Sequence, residues 1–362
     1  MKKTSICLWI AIICVCAGVL ICTASGLLIA FTPQSWNVNN FRTVEHTVTD
    51  PFTDIRVEAL SESDLKILPA EDGQCRVVSY ETERVPHTVT VENNTLLIRE
   101  QDTRRWYDHI NLFPVFSRPE ITVYLPEEQY HTLFAEVSTG NIEIKDGFTF
   151  GDTELHSTTG NTYLRSNVTG ALTVTASTGS IDVRHVTPRS LFLSVSTGHI
   201  VLSDATVTED VTITSSTGDQ SLSDIRCRNL SAQSSTGEIA LRRIDASDAL
   251  QFTTTTGRSS LFQTTCGTLN GAATTGKIHC EYLNVLGDLT LQTDTGDVIL
   301  SLSDAANLHI TTGTGDVEGT LLTEKIFNTA SDTGHIRVPN GITGGICEVR
   351  TDTGDITFHI AS

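Results

Sequence analysis

Twelve Thr-Gly pairs in this 362-residue chain form a series spaced at intervals of 19 or 20 residues. The glycines are Gly140, Gly160, Gly179, Gly198, Gly218, Gly237, Gly257, Gly276, Gly296, Gly315, Gly334 and Gly354. A unit this short cannot bury a core of its own. It must stack on copies of itself, so one repeat makes one coil of a solenoid.

Alignment on the glycine shows which residues face inward. Seven positions before it stand mainly leucines (Leu133, Leu172, Leu191, Leu230, Leu250), and two positions after it nine of the twelve residues are Ile or Val. Ser, Thr, Gln, Asp, Asn and His fill most positions between. Apolar and polar residues thus alternate with period two on both sides of the glycine, which is strand periodicity with one buried face. The phase slips across Thr-Gly, placing the pair at a corner between two strands. Glycine suits a corner that needs positive φ. The β-branched threonine suits a strand end, where stacked copies are expected to exchange hydroxyl hydrogen bonds. The fold class is therefore all-β: a single-stack parallel β-solenoid over residues 133–362, with about 12 coils of 19–20 residues. Right-handed coiling is expected from the bias of parallel crossovers.

The N-terminus reads as a membrane anchor. Lys2 and Lys3 precede an uncharged, mostly apolar run from Ile6 to Phe31. A helix of that length crosses a hydrocarbon core of ~30 Å, and the flanking lysines keep the N-terminus inside. Cleavage after Thr23-Ala24-Ser25 competes, but would leave Leu27–Phe31 exposed on the product. The expected organisation is an anchor over 1–32, a polar linker over 33–45, a β-rich N-terminal cap over 46–132 and the solenoid over 133–362. The cap includes the aromatic-basic stretch Arg104, Arg105, Trp106 and Tyr107, either a plug for the end of the stack or a loop for a partner. Ser362 follows Gly354 so closely that the last coil is expected to leave an open edge, a template for end-to-end self-association.

The net charge of −19 argues against nucleic acid and anionic lipid headgroups as ligands. Five cysteines lie beyond the apolar run. Cys280 and Cys347 fall on inward rows, while Cys227 and Cys266 lie two coils apart, roughly 10 Å along the stack, beyond disulfide reach. Reduced thiols are expected. No zinc spacing, phosphate loop, nucleophile elbow or Cys-x-x-Cys pair occurs, so neither a cofactor nor a catalytic residue is assigned. Asp294, Asp297, Asp316, Asp332, Asp352 and Asp355 line the last corners. They form a weak candidate for Ca²⁺, against the plainer role of solvated turn residues.

The anchor, the stretches Leu65–Pro69 and Ile121–Pro126, and the repeated Ser-Thr-Gly-x-Ile and Asp-Thr-Gly-Asp-Ile units together carry a resemblance. Over residues 46–362 the chain resembles the bacterial putative-adhesin family of β-strand-repeat domains of unknown function. That resemblance implies a cell-envelope protein that binds or scaffolds an unknown protein or glycan partner, and it brings no catalytic residues. The expectation is a single-pass, extracytoplasmic binding protein and not an enzyme. The alternatives are a sensory or regulatory envelope-stress component, or a carbohydrate-active β-helix enzyme with two converging carboxylates.

Overall fold

The computed structural model describes Gly18, residues 41–104 and residues 119–361, apart from the side chain of Ala59. The apolar run 6–31 otherwise lies outside the described residues, none of which belongs to a helix long and apolar enough to cross a membrane. From residue 41 onward the described chain is all-β, with strands between Arg42 and Ile360 joined into one hydrogen-bonded sheet.

Successive coils stack in parallel with their repeats in register. Leu172 lies beside Leu191, which lies beside Val211 and then Leu230. The same holds after the corner, where Ile181, Ile200, Gln220 and Ile239 form one row. These inward rows are almost wholly buried, so each coil's apolar residues are covered by the coils above and below. The array makes about eleven turns, one for each interval between the twelve corners.

All twelve corner glycines have positive φ, from +131° at Gly218 to +158° at Gly334. Stacking supplies a second reason for glycine. A Cβ built on Gly218 would lie 1.9 Å from the carbonyl oxygen of Gly198, and its counterparts in most neighbouring coils come about as close. The glycine amides donate to threonine carbonyls of the adjacent coil, as from Gly198 to Thr217 at 2.9 Å. The threonine side chains are exposed, so the corner ladder runs through backbone carbonyls and not, as the sequence suggested, through hydroxyls. Hydroxyls act one step inside. Thr312 Oγ1 and Thr351 Oγ1, three residues before their glycines, donate to Gly296 and Gly315 carbonyls at 3.2 Å each.

At both ends, stack order departs from chain order. The coil cornered at Gly354 lies directly on the Gly315 coil, with Leu308 beside Cys347 and Val317 beside Ile356. The Gly334 coil lies outside it, with Phe327 beside Cys347 and Ile336 beside Ile356. The last coil in the chain is thus inserted into the stack, which corrects the expectation that it forms the open end; the open edge belongs to the coil before it. The N-terminal end mirrors this. Ile55 pairs with Leu96 on one side and Leu133 on the other, and Leu65 with Ile121 and Ile142. The two stretches that carry the family resemblance, 65–69 and 121–125, therefore lie side by side. Outside them, strands Cys75–Glu81 and His87–Glu92 add in antiparallel sense.

Candidate functional site: the second-corner groove

A second column of corners, unmarked by glycine, runs along the middle of the stack six residues after each of the seven Thr-Gly pairs from Gly179 to Gly296. His185, Asp204, Asp224, Arg243, Gln263, Tyr282 and Leu302 all have φ between +47° and +58°. A left-handed conformation costs a residue bearing a Cβ roughly 1–2 kcal/mol. Asp tolerates it through local polar contacts, whereas Leu302 gains nothing of that kind. The next residue in each coil turns inward, as at Ala205, Ile225 and Ile244, all buried. The residue after that points out again, as at Thr206, Arg226 and Asp245, except in the Leu302 coil, where Asp304 is buried.

Two outward rows therefore flank an inward one, and the space between them is a solvent-open groove of about 640 Å³. Asp204, Asp224, Arg243 and Gln263 form one wall, and Thr206, Arg226, Asp245 and Thr265 the other. Arg243 grips Asp224 through two contacts, Nε to Oδ1 at 2.5 Å and Nη2 to Oδ2 at 2.6 Å. This guanidinium holds the Asp224 carboxyl below the usual carboxylate range, so Asp224 stays ionised and is unsuited to act as a general acid. His185 Nδ1 stands 3.6 Å from Asp204 Oδ2. Arg226 is exposed and has no ion pair among the described residues. Past Gln263, the column continues into an aromatic step. Tyr282, 46% exposed, meets Phe262 edge-on with centroids 5.8 Å apart, and Arg242 covers the Phe262 ring at 4.9 Å.

The aspartates singled out in the sequence fall on two rows. Asp294, Asp332 and Asp352, two residues before their glycines, are exposed. Asp297, Asp316 and Asp355, one residue after, brace the corner backbone. Asp297 Oδ1 accepts from the Asp316 amide at 3.2 Å, Asp316 Oδ1 from Asp355 at 2.8 Å, and Asp355 Oδ1 from His335 at 2.8 Å. Asp64, Asn141 and Asn161 begin the same ladder at the other end. Carboxylates occupied in this way are turn-forming groups. Among the described residues no cluster of three His, Cys, Asp or Glu side chains is placed to hold a metal ion.

Of the aromatic-basic stretch, Arg104 bonds Asp102 at 2.7 Å and Glu62 at 2.9 Å; Arg105, Trp106 and Tyr107 lie outside the described residues. Beside Arg104 is a cluster that sequence reading passed over. His87, wholly buried, places Nδ1 3.0 Å from Glu81 Oε2 and Nε2 3.6 Å from Glu100 Oε2. Ser61 donates to Glu100 through both its amide, at 3.1 Å, and its hydroxyl. Burial works to raise the Glu100 pKa, but the adjacent His87 ring and the hydrogen bonds from Ser61 outweigh it and the net shift is downward. The enclosure of this cluster marks it as a structural clamp on the N-terminal layers. Cys75, Cys227, Cys266, Cys280 and Cys347 are likewise buried, each with its thiol pushed up to about 12 by desolvation.

Similar architectures are found among solved structures. One is a putative adhesin from Bacteroides fragilis, with 11% identity, 88% of this chain and 97% of that one aligned, and a TM-score of 0.30. Another, from Parabacteroides merdae, has 11% identity, 88% and 96% coverage, and a TM-score of 0.33. A putative cell adhesion protein from Clostridium sporogenes aligns over 89% of this chain and all of its own, at 9% identity and a TM-score of 0.18. No curated protein matches the sequence. A family model matches twice, over residues 52–215 and 185–359, so that nearly the whole described array is covered. This chain belongs to the Toastrack DUF4097 family.

Proposed function

We propose that this protein is a membrane-anchored, extracytoplasmic binding protein that holds an extended glycan strand of the cell envelope along the second-corner groove. One observation carries the proposal: a solvent-open groove that crosses several coils, with the exposed Tyr282 next along the same column of corners. Each coil repeats the same pair of outward positions, so the groove presents evenly spaced hydroxyl, amide, carboxylate and guanidinium groups to a chain ligand. Sugar rings match that inventory. Their hydroxyls bond to Asp, Gln, Thr and Arg side chains, and their C–H faces pack on Tyr282 as on other amphipathic aromatic anchors. The groove's acids and arginines nearly balance, so it favours a ligand of little net charge. Its walls are also preset, because the side chains project from a sheet that stacking holds rigid, and binding then costs little ordering entropy. The anchoring helix and outside location rest on the Ile6–Phe31 run and Lys2-Lys3.

Two measurements test this. A C-terminal tag on intact cells should be open to added protease; a tag protected until lysis would overturn the location. Full-length protein in detergent should bind solubilised envelope polysaccharide. The Arg226→Ala/Tyr282→Ala variant should bind at least about tenfold more weakly, the loss of roughly 1.4 kcal/mol, with unchanged thermal unfolding. Equal binding by variant and wild type would remove the groove as the site. Binding to envelope protein alone would replace the glycan with a peptide ligand.

A further inference from the structure

The two ends of the stack are finished differently. At the N-terminal end the outermost strands are Arg42–Val48 and His87–Glu92, the latter antiparallel to its neighbour. Their outward residues are largely polar, including Glu45, Thr90 and Glu92. A reversed, polar edge strand is a device that keeps sheets from growing.

The C-terminal end lacks it. Its outermost strands, Lys325–Thr333 and Ile336–Arg337, pair on one side only among the described residues, and both run parallel to the coil beneath. Of the eight large hydrophobic residues exposed in the described chain, five lie at this end: Leu322 (51%), Ile326 (44%), Ile336 (42%) and Ile342 (87%), with Ile346 (50%) beside Ile326 on the coil beneath. Ile336 occupies a row that is buried in the other coils and is bare because no coil of the described residues lies beyond it. The strand's one lysine does not guard the edge. Lys325 is 4% exposed and turned inward onto Asp304 at 2.7 Å, which leaves Asp332 as the strand's only outward charge.

We infer that this edge is an interface between two copies of the chain, joined tail to tail through antiparallel pairing of strand 325–333 with its counterpart. An open row of backbone amides and carbonyls is satisfied by another strand, which selects a β-edge as the occupant. The chain offers itself two edges. The polar head edge cannot cover the isoleucines, whereas a second tail buries both sets at once. The pairing is isologous, so it closes at two copies and forms no filament. One outward carboxylate per strand, displaced from the strand's centre, does not meet its own image. This inference stands apart from the glycan groove, which lies on the flank of the coils and remains open in the dimer.

The test uses full-length protein in detergent, with mass measured by light scattering during size exclusion. At about 100 µM, well above a micromolar dissociation constant, the wild type should be a dimer and Ile326→Lys/Ile342→Lys a monomer. A monomeric wild type overturns the inference, as does a ladder of larger species, or a dimer that survives both lysines. Should the lysine variant unfold, Ala330→Cys decides. Oxidation should join two copies of that variant through a disulfide between their introduced thiols, seen as a linked peptide pair, while the head-end control Thr90→Cys yields none. Absence of the tail link, or a link at the head, refutes tail-to-tail pairing.

Discussion

Replacing Gly218 by alanine tests why glycine recurs at the corners. Its φ of +131° costs an alanine about 1–3 kcal/mol. The new Cβ would also stand 1.9 Å from the Gly198 carbonyl oxygen, and backbone cannot swing aside as a side-chain tip does. Separating the two coils to relieve this clash adds about 1–3 kcal/mol, the usual penalty for overpacking. Against this, alanine stiffens the unfolded chain by about 0.4–1 kcal/mol. The net loss is about 3 kcal/mol. Gly73 is the control, because it too has positive φ (+68°) but nothing within 4 Å of a built Cβ. Gly73→Ala should cost no more than about 1 kcal/mol. A repeat array need not unfold as one unit, so the readout is amide hydrogen exchange at the affected coils. The Gly198 and Gly218 amides, bonded to Thr217 and Thr236 at 2.9 and 2.8 Å, should exchange roughly a hundredfold faster in Gly218→Ala. Exchange within a few-fold of wild type, or no faster than in Gly73→Ala, would refute the close-approach explanation.

Relieving strain should have the opposite effect. Leu302 sits at φ +47°, and Leu302→Asn should raise stability by up to about 1 kcal/mol, measured by thermal unfolding; a lower midpoint would count against a strained leucine there. The five cysteines from Cys75 onward should resist alkylation at pH 8 in the native protein and all react after denaturation, since burial raises each thiol to about 12. Peptide mapping by mass spectrometry reads this, and a disulfide-linked pair would contradict it. The Glu100 pKa is lower in the folded state than its ordinary value. Its contribution is therefore complete above the unfolded carboxylate pKa of about 4.3 and is lost as pH falls through the folded value. Glu100→Gln should lower stability near neutral pH by about 1–3 kcal/mol and flatten the acid limb of the stability profile; an unchanged limb would refute the clamp.

The Thr-Gly spacing made the solenoid legible because each corner needs glycine twice over, for its φ and for its approach to the next coil. The inward rows followed from period-two alternation, and even the polar exceptions Thr153, Thr162 and Gln220 occupy the buried positions assigned by register. The groove was not legible in the same way. Its corner residues are as different as His185, Arg243 and Leu302, since the cost of left-handed backbone falls on whichever residue stands there and leaves no compositional mark.

The C-terminal end was misread for a different reason. A repeat specifies which face of a coil is inward, but every coil satisfies that rule equally well beside any other. Nothing periodic states that the Gly354 coil lies beneath the Gly334 coil. The non-periodic contacts decide it, such as Asn307 Oδ1 accepting from the Ile346 amide at 3.0 Å across 39 residues of sequence. The corner aspartates show what composition leaves open: a row of carboxylates fits an ion or a turn equally well, and at Asp297, Asp316 and Asp355 the oxygens serve neighbouring amides.

The most direct test of the account is a hydrogen-exchange footprint of the full chain with and without bound envelope polysaccharide. Slowed exchange should be confined to residues 204–206, 224–226, 243–245 and 263–265 and the Tyr282 step, repeating from coil to coil at the same offset from each Thr-Gly. Protection of the flat strand face around Thr173, Phe192 and Thr212, or of the Thr-Gly corners, with the groove unaffected, would contradict it.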